Sequence, residues 1–300
     1  MKLINGDSAI VLKDIPENSI DAVITDPPYS LIDAIKWDLQ PSQEMFSEIY
    51  RVMKPGAVAL IMTSSRQDLY TQLILNLKNS GFDISYSSLF WVYNNSPVKG
   101  RINRERGYIE GFNPRNAVEI ITVAMKPFKG TIRSNIEKNG VPIVNYKEAH
   151  IQYGEGDNLT SNLLFDDDID TTDIREKTYQ LHRIGNWILD IPKPTRYDLN
   201  FMNRNPRDKY HGMFYKSRND LNNEENHMTV KPVKLFAYLI SAVTQRGMTV
   251  LDPFAGTGTA MIASYLTNRD CIAIEFNPAY VEMIKRRLAM YEISYDMIIY

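Results

Sequence analysis

The sequence predicts an α/β fold built on a mostly parallel sheet and interrupted by a long irregular insertion. Three observations carry this. Short apolar runs alternate with helix-period segments from Met1 to about Lys126, the pattern decays from Pro127 to Asn226, and a β-α-β-α succession then follows. The expected organisation is therefore 1–126, 127–226 and 227–300, with regular structure in the outer two stretches. A chain of 300 residues is long enough for one large domain or two modest ones.

In the first stretch, Ser19 to Thr25 and Ala57 to Met62 read as buried strands, apolar and bounded by Pro and Gly. Between them, Gln43 to Met53 puts Met45, Phe46, Ile49, Val52 and Met53 on one helical face, and Lys54-Pro55-Gly56 is expected to stop the helix. A second helix, Asp68 to Lys78, ends near Gly81, and strands are expected at Tyr86 to Tyr93 and Ala117 to Met125. The middle stretch is rich in Asn and Asp, with prolines at 192, 194 and 206, and little regular structure is expected there. In the third, Pro232 to Gln245 reads as a helix with Pro in its first turn and Gly247 beyond its end. Met248 to Asp252 reads as a strand, Gly258 to Thr267 as a helix, Cys271 to Glu275 as a strand and Pro278 to Tyr291 as a helix.

Composition narrows the function classes. With 44% hydrophobic and 23% charged residues the chain is neither collagenous nor globally disordered. A single cysteine, Cys271, excludes an internal disulfide and a cysteine zinc cluster, which fits a reducing, cytoplasmic compartment. No apolar run approaches the roughly 18 residues of a membrane helix, and the N-terminus lacks a signal-peptide pattern, so neither membrane insertion nor export is expected. The net charge of −2 argues against general coating of a polyanion, but the charges are segregated. Glu155 to Asp173 holds seven acidic residues and no Lys or Arg, whereas Lys193 to Arg218 holds seven Lys or Arg against Asp198 and Asp208.

Two motifs carry chemistry. Asp252-Pro253-Phe254-Ala255-Gly256-Thr257-Gly258-Thr259 lies between an expected strand and an expected helix, where glycines let the backbone turn tightly beside a ligand and the helix amides attract a negative group. Nineteen residues after Gly256, Glu275 ends the next strand, a position from which a carboxylate can accept hydrogen bonds from two ribose hydroxyls. The third glycine of the dinucleotide fingerprint is missing, which favours a nucleoside carrying a carboxylate over a pyrophosphate. A G-x-G is also a common turn, and that plainer reading stays open. Asp26-Pro27-Pro28-Tyr29 follows an apolar strand, at the end where open α/β sheets bind ligands. Two prolines fix the backbone, so a carboxylate and a rigid carbonyl can face an exocyclic amino group while Tyr29 offers a stacking surface. Here the alternative is a proline-rich turn capped by Asp.

Together, Asp26-Pro27-Pro28-Tyr29 and Phe254-Ala255-Gly256-Thr257-Gly258 resemble the S-adenosylmethionine-dependent amino-group DNA methyltransferases. The tetrapeptide precedes the glycine loop with an irregular region between them, an order similar to the permuted β class. Asn5-Gly6-Asp7-Ser8, placed before the first strand, and His227-Met228-Thr229-Val230-Lys231-Pro232 resemble two further segments of that family.

The resemblance implies a Rossmann-like methyltransferase fold. Its catalytic half would be 1–126, its inserted target-recognition region 127–226 and its cofactor half 227–300. It implies transfer of a methyl group to N6 of a flipped-out adenine, with Asp26, Pro27, Pro28 and Tyr29 at the catalytic centre. Aspartate rather than serine at the head of the tetrapeptide leans toward adenine, and cytosine N4 is the nearest alternative. An RNA or small-molecule methyltransferase and a catalytically silent DNA-binding protein stand further off. Gly256, Gly258 and Glu275 would hold S-adenosylmethionine, with Asp7, Lys231, Asp252 and Phe254 lining the same pocket. Asp7 as a helix cap and Phe254 as core remain alternatives. No metal is expected, because His227 and Lys231 are too few ligands.

Double-stranded DNA is the expected partner. Candidate contacts are Lys99, Arg101 and Arg104 in a loop after Trp91, and Arg196, Arg204, Arg207 and Lys209 in the basic stretch, with solvated charge as the alternative. The resemblance also leaves room for a homodimer and a cognate restriction endonuclease, neither of them carried by a particular residue.

Overall fold

The computed structural model describes residues 1–29, 40–92, 101–103, 105–110, 118–145, 163–165 and 230–300. The first half contains β1 (Lys2–Asn5), α1 (Ser8–Val11), β2 (Ile20–Thr25), α2 (Gln43–Val52), β3 (Met53–Thr63), α3 (Gln67–Asn79) and β4 (Leu89–Val92). A small antiparallel pair, β5 (Arg101–Asn103) with β6 (Tyr108–Glu110), precedes β7 (Val118–Met125), α4 (Ile132–Asn139) and β8 (Leu163–Phe165). After it come α5 (Val233–Val243), β9 (Thr249–Asp252), α6 (Thr259–Leu266), β10 (Asp270–Glu275), α7 (Pro278–Met290) and β11 (Asp296–Ile299).

Among the described residues nine strands form one sheet in the order β11-β1-β10-β9-β2-β3-β7-β4-β8. Every pairing from β11 to β3 is parallel, β7 runs antiparallel to both β3 and β4, and β8 is parallel to β4. This is the mostly parallel α/β sheet that the alternating apolar runs predict. Such a sheet must be covered on both faces, and the strand residues divide accordingly. Ala22, Ile24, Leu60 and Met62 join Leu235, Phe236, Leu239, Met261 and Ile284 beneath α5, α6 and α7. Val23, Ala59 and Ile61 join Phe46, Ile49, Val52, Leu73 and Leu77 beneath α2 and α3. The period-2 alternation along β2 and β3 thus feeds two separate cores.

Several elements depart from the sequence expectation. Helix α2 is capped by Ser42, whose hydroxyl accepts from Met45 N at 3.4 Å, and it buries Phe46, Ile49 and Val52 as the spacing predicts. No turn follows it, because Lys54-Pro55-Gly56 is built into β3. Gly56 N donates to the Lys126 carbonyl at 2.7 Å, and the Pro55 carbonyl accepts from Asn135 Nδ2 at 2.8 Å. Regular structure also continues past Lys126: α4 starts in a reciprocal Thr131–Ser134 cap and ends at Gly140 in the left-handed region. Asn135 is buried and ties this helix to Pro55 and to the Val141 carbonyl, so helical structure packs onto β3 from the stretch after Lys126. The first strand, β1, runs into the Asn5-Gly6-Asp7-Ser8 segment and ends on its Asn5, so that segment does not lie before the first strand, and β11 completes the far edge of the sheet beyond β1.

The chain runs from β2 outward to β3 on one side, and from β9 outward to β10 on the other. Strands β2 and β9 are neighbours, with Ala22 opposite Val250 and Val23 opposite Leu251. Between them the sheet changes winding direction, which leaves a crevice beyond their carboxyl ends. Asp26 and Asp252 stand at those two ends.

Candidate active site at the sheet switch point

A buried hydrogen bond joins the two strand tips: Thr25 Oγ1 donates to Asp252 Oδ1 at 2.6 Å, across 227 positions of sequence. Asp252 is 2% exposed and accepts a second hydrogen bond from Phe254 N at 3.1 Å. Burial pushes its carboxyl up to about 7, although these two donors pull the other way. These two hydrogen bonds clamp the glycine loop to β2.

Beyond Asp252 the backbone folds back sharply. Gly256 and Gly258 take φ of 53° and 77°, and Gly258 is the N-cap of α6. The loop is fixed from three sides. Ala255 N donates to the Ile274 carbonyl at 2.9 Å, Gly256 N to Glu275 Oε2 at 2.7 Å, and the Arg287 guanidinium to the Thr257 carbonyl and hydroxyl at 2.7 and 2.8 Å. The other oxygen of Glu275 accepts from Asn277 N at 2.8 Å. Burial raises the Glu275 carboxyl to about 7, against the pull of these amides.

The first residues of the chain close one side of the pocket. Asn5 Nδ2 donates to the Glu275 carbonyl at 2.9 Å, and Ser8 Oγ donates to the Pro253 carbonyl. Asp7 is exposed there and caps α1, its Oδ1 accepting from Ala9 N at 2.9 Å. The cap reading of Asp7 is thus what the local geometry displays, at a position next to the loop. Phe254 is half-buried rather than core, and Phe276, directly after Glu275, is 67% exposed.

On the β2 side, Asp26 leads the tetrapeptide into the crevice with Pro27 buried behind it. Tyr29 packs against the core, and its hydroxyl donates to Asp26 Oδ1. Asp26 Oδ2 accepts from Lys231 Nζ at 2.7 Å, and the same ammonium lies 3.3 Å from Glu119 Oε2. Burial alone would depress Lys231, but Asp26 and Glu119 outweigh it and hold the lysine well above its ordinary range.

The structure therefore gathers Asp26 to Tyr29, Asp252, Gly256, Gly258, Glu275 and Asp7 around one crevice, and turns Lys231 onto Asp26. Sequence reasoning passed over Glu119 and Phe276. The signal for Glu119 was a carboxylate inside the otherwise apolar strand Val118 to Met125, which demands a partner once buried. The candidate DNA contacts Lys99, Arg104, Arg196, Arg204, Arg207 and Lys209, together with His227, lie outside the described residues. The backbone of Arg101 is in β5 rather than in a loop. Among the described residues no helix is long and apolar enough to cross a membrane, and no cluster of His, Cys, Asp and Glu is arranged to hold a metal.

Comparison with known proteins bears on this arrangement. The chain is 27% identical over 297 residues to the type II methyltransferase M.HpaI of Haemophilus parainfluenzae, covering 96% of this chain and 74% of that protein. It is 27% identical over 299 residues to the DNA adenine methyltransferase YhdJ of Escherichia coli K12, covering 95% and 82%. Among solved structures, the cytosine-N4-specific PvuII DNA methyltransferase shares the fold with a TM-score of 0.57 at 18% identity, over 97% of this chain and 87% of that one. The N6_N4_Mtase family model, described as DNA methylase, matches residues 20–286, from the start of β2 into α7. That span takes in both the Asp26 tetrapeptide and the glycine loop in the order found here, and the chain belongs to this DNA methylase family.

Proposed function

We propose that the protein transfers a methyl group from S-adenosylmethionine to N6 of adenine at a specific site in double-stranded DNA. The observation that carries the reading is the meeting of Asp26 and the glycine loop at the β2–β9 switch point, joined by the Thr25–Asp252 hydrogen bond of 2.6 Å. An acceptor for an amino group and a nucleoside pocket then open onto the same crevice.

The pocket residues suit that cofactor. Glu275 presents a carboxylate already oriented by Gly256 N and Asn277 N, the left-handed turn at half-buried Gly256 lets a ligand approach the backbone while Gly258 packs the loop against Ile284 of α7, and exposed Phe276 offers an aromatic face. When bound, S-adenosylmethionine would supply an electrophilic sulfonium methyl: an N–C bond would form as the S–C bond breaks, the sulfonium becoming a thioether, and the one proton lost by the amino nitrogen would pass by way of Asp26 to solvent. Asp26 and the Pro27 carbonyl accept the two amino hydrogens and turn the nitrogen lone pair toward the methyl group. Tyr29 supplies the surface on which the extruded base stacks. Aspartate at the head of the tetrapeptide, together with similarity to a DNA adenine methyltransferase, supports adenine.

The same reading divides the chain into a catalytic half (1–126), a target-recognition insertion (127–226) and a cofactor half (227–300), with the basic stretch Lys193 to Arg218 on the DNA. The test is to incubate the protein with methyl-labelled cofactor and duplex DNA, single-stranded DNA or RNA, and to identify the labelled nucleoside. N6-methyladenine from duplex is the expected product. N4-methylcytosine, or label confined to RNA, would overturn the assignment.

A further inference from the structure

Lys231 stands between two acids from distant parts of the fold. Its ammonium is 2.7 Å from Asp26 Oδ2 at the tip of β2 and 3.3 Å from Glu119 Oε2 on β7, and it lies 5.5 Å from the Tyr29 ring centroid. The lysine side chain is 7% exposed, that of Glu119 14% and that of Asp26 17%. Buried ion pairs are seldom the most stable way to fill a space, because desolvation consumes most of the Coulomb gain. One ammonium between two carboxylates also leaves a net charge of −1, which stability alone would not select. Its carbonyl accepts from Thr259 Oγ1 at 3.3 Å, at the start of α6, while its side chain reaches the tetrapeptide, so the lysine stands between the glycine-loop helix and Asp26.

We propose that Lys231, anchored by Glu119, is a positioning residue for methyl transfer, fixing the Asp26 carboxylate in one orientation as the acceptor for the target amino group. The inference rests on the reading of Asp26 as that acceptor. One Asp26 oxygen is engaged by the Lys231 ammonium and the other by the Tyr29 hydroxyl. Each carboxylate oxygen has two acceptor sites, so both oxygens retain one for the base. Glu119 stops the flexible four-carbon lysine stem from swinging away.

Among the described residues, the groups that face Asp26 are the Tyr29 hydroxyl from its own turn, Lys231 ahead of α5, Glu119 from β7 through the lysine, and Asp252 at the tip of β9. Without Lys231, Asp26 loses the donor that fixes its Oδ2 and is held by the Tyr29 hydroxyl alone, so the carboxylate is free to turn away from the base.

The experiment compares Lys231→Met, Lys231→Arg, Glu119→Gln and Asp26→Asn by single-turnover methylation at neutral pH, with calorimetric S-adenosylmethionine binding alongside. Lys231→Met is expected to methylate at least about tenfold more slowly, with cofactor affinity within about threefold of the parent. Lys231→Arg, which keeps the charge, restores most of the rate. Glu119→Gln, which leaves the lysine stem without its charged anchor, slows methylation in the same sense by a smaller factor at unchanged cofactor affinity, which supplies the test if Lys231→Met does not fold. Parental rates in both Lys231→Met and Glu119→Gln, or a loss of cofactor binding that matches the loss of rate, overturn the proposal. Turnover by Asp26→Asn at the parental rate would instead overturn the acceptor role of Asp26 itself.

Discussion

Gly258→Ala is expected to lower the unfolding free energy by about 2–5 kcal/mol, from two separable effects. The first is conformational. Gly258 sits at φ 77° and ψ 23°, where an L-residue pays about 1–2 kcal/mol. The second is steric: a Cβ there would lie 2.9 Å from Cγ2 and 3.2 Å from Cγ1 of Ile284, a fully buried residue on α7. Overpacking of this kind costs about 1–3 kcal/mol. Helix α7 cannot easily retreat, because Arg287, one turn further on, is hydrogen-bonded to Thr257 and Thr259. Urea unfolding of Gly258→Ala, Ile284→Ala and the double variant separates the two effects. Ile284→Ala removes the γ-carbons in the way, so Gly258→Ala should then retain only its conformational cost, with a coupling of about 1–3 kcal/mol between the positions. A single-variant loss below about 1 kcal/mol, or an equal loss in both backgrounds, would refute the argument.

Further outcomes can be measured separately. Glu275 is held near 7 by burial, above its ordinary 4.5, so the folded chain binds this proton more tightly than the unfolded one and the contribution of Glu275 to stability falls as pH rises from about 4.5 through about 7. Denaturant titrations should therefore show Glu275→Gln gaining on the parent across that window, and a difference that stays flat or turns against the variant contradicts it. Thr25→Val takes one donor from the buried Asp252 carboxylate and is expected to cost about 1–3 kcal/mol, rising toward alkaline pH as Asp252 ionises; a loss independent of pH would sink the clamp reading. Neutralising Arg196, Arg204 and Arg207 should weaken duplex binding and flatten its salt dependence by about one unit of slope per lost phosphate contact, whereas an unchanged slope removes the basic stretch from the DNA interface.

How much was legible follows from the range of the interactions. Helix α2 and strands β2, β3 and β7 announce themselves because their apolar pattern is local and largely buried. Strands β1 and β11 are four residues each, and they owe their state to neighbours: β1 lies between β10 and β11, and Ile299 on β11 is 76% exposed. Helix α4 carries a weak apolar face and is held by a buried asparagine, a contact that no periodicity signals. In the candidate site, Asp26, Gly256 and Gly258 could be singled out because tetrapeptide and loop are contiguous motifs, and Glu275 because it ends the next apolar run. The Lys231–Asp26 contact spans 205 positions and Glu119 enters from an antiparallel strand, so neither could be placed before the sheet order was known.

The interlaced strand order also bears on when the protein becomes competent during synthesis. Strand β1 is made first, yet it is flanked by β10 and β11, and the inner edge of β2 stays open until β9 emerges. A nascent chain that has completed the tetrapeptide and all of the insertion still has no glycine loop and no lysine beside Asp26. Closing those distant pairings is entropically slow, and the open strand edges are the surfaces on which partly made chains stick to one another. In exchange, on the proposed reading of the glycine loop, an abortive fragment ending before β9 lacks the cofactor side of the site, so reactivity would be switched on by completion of the fold.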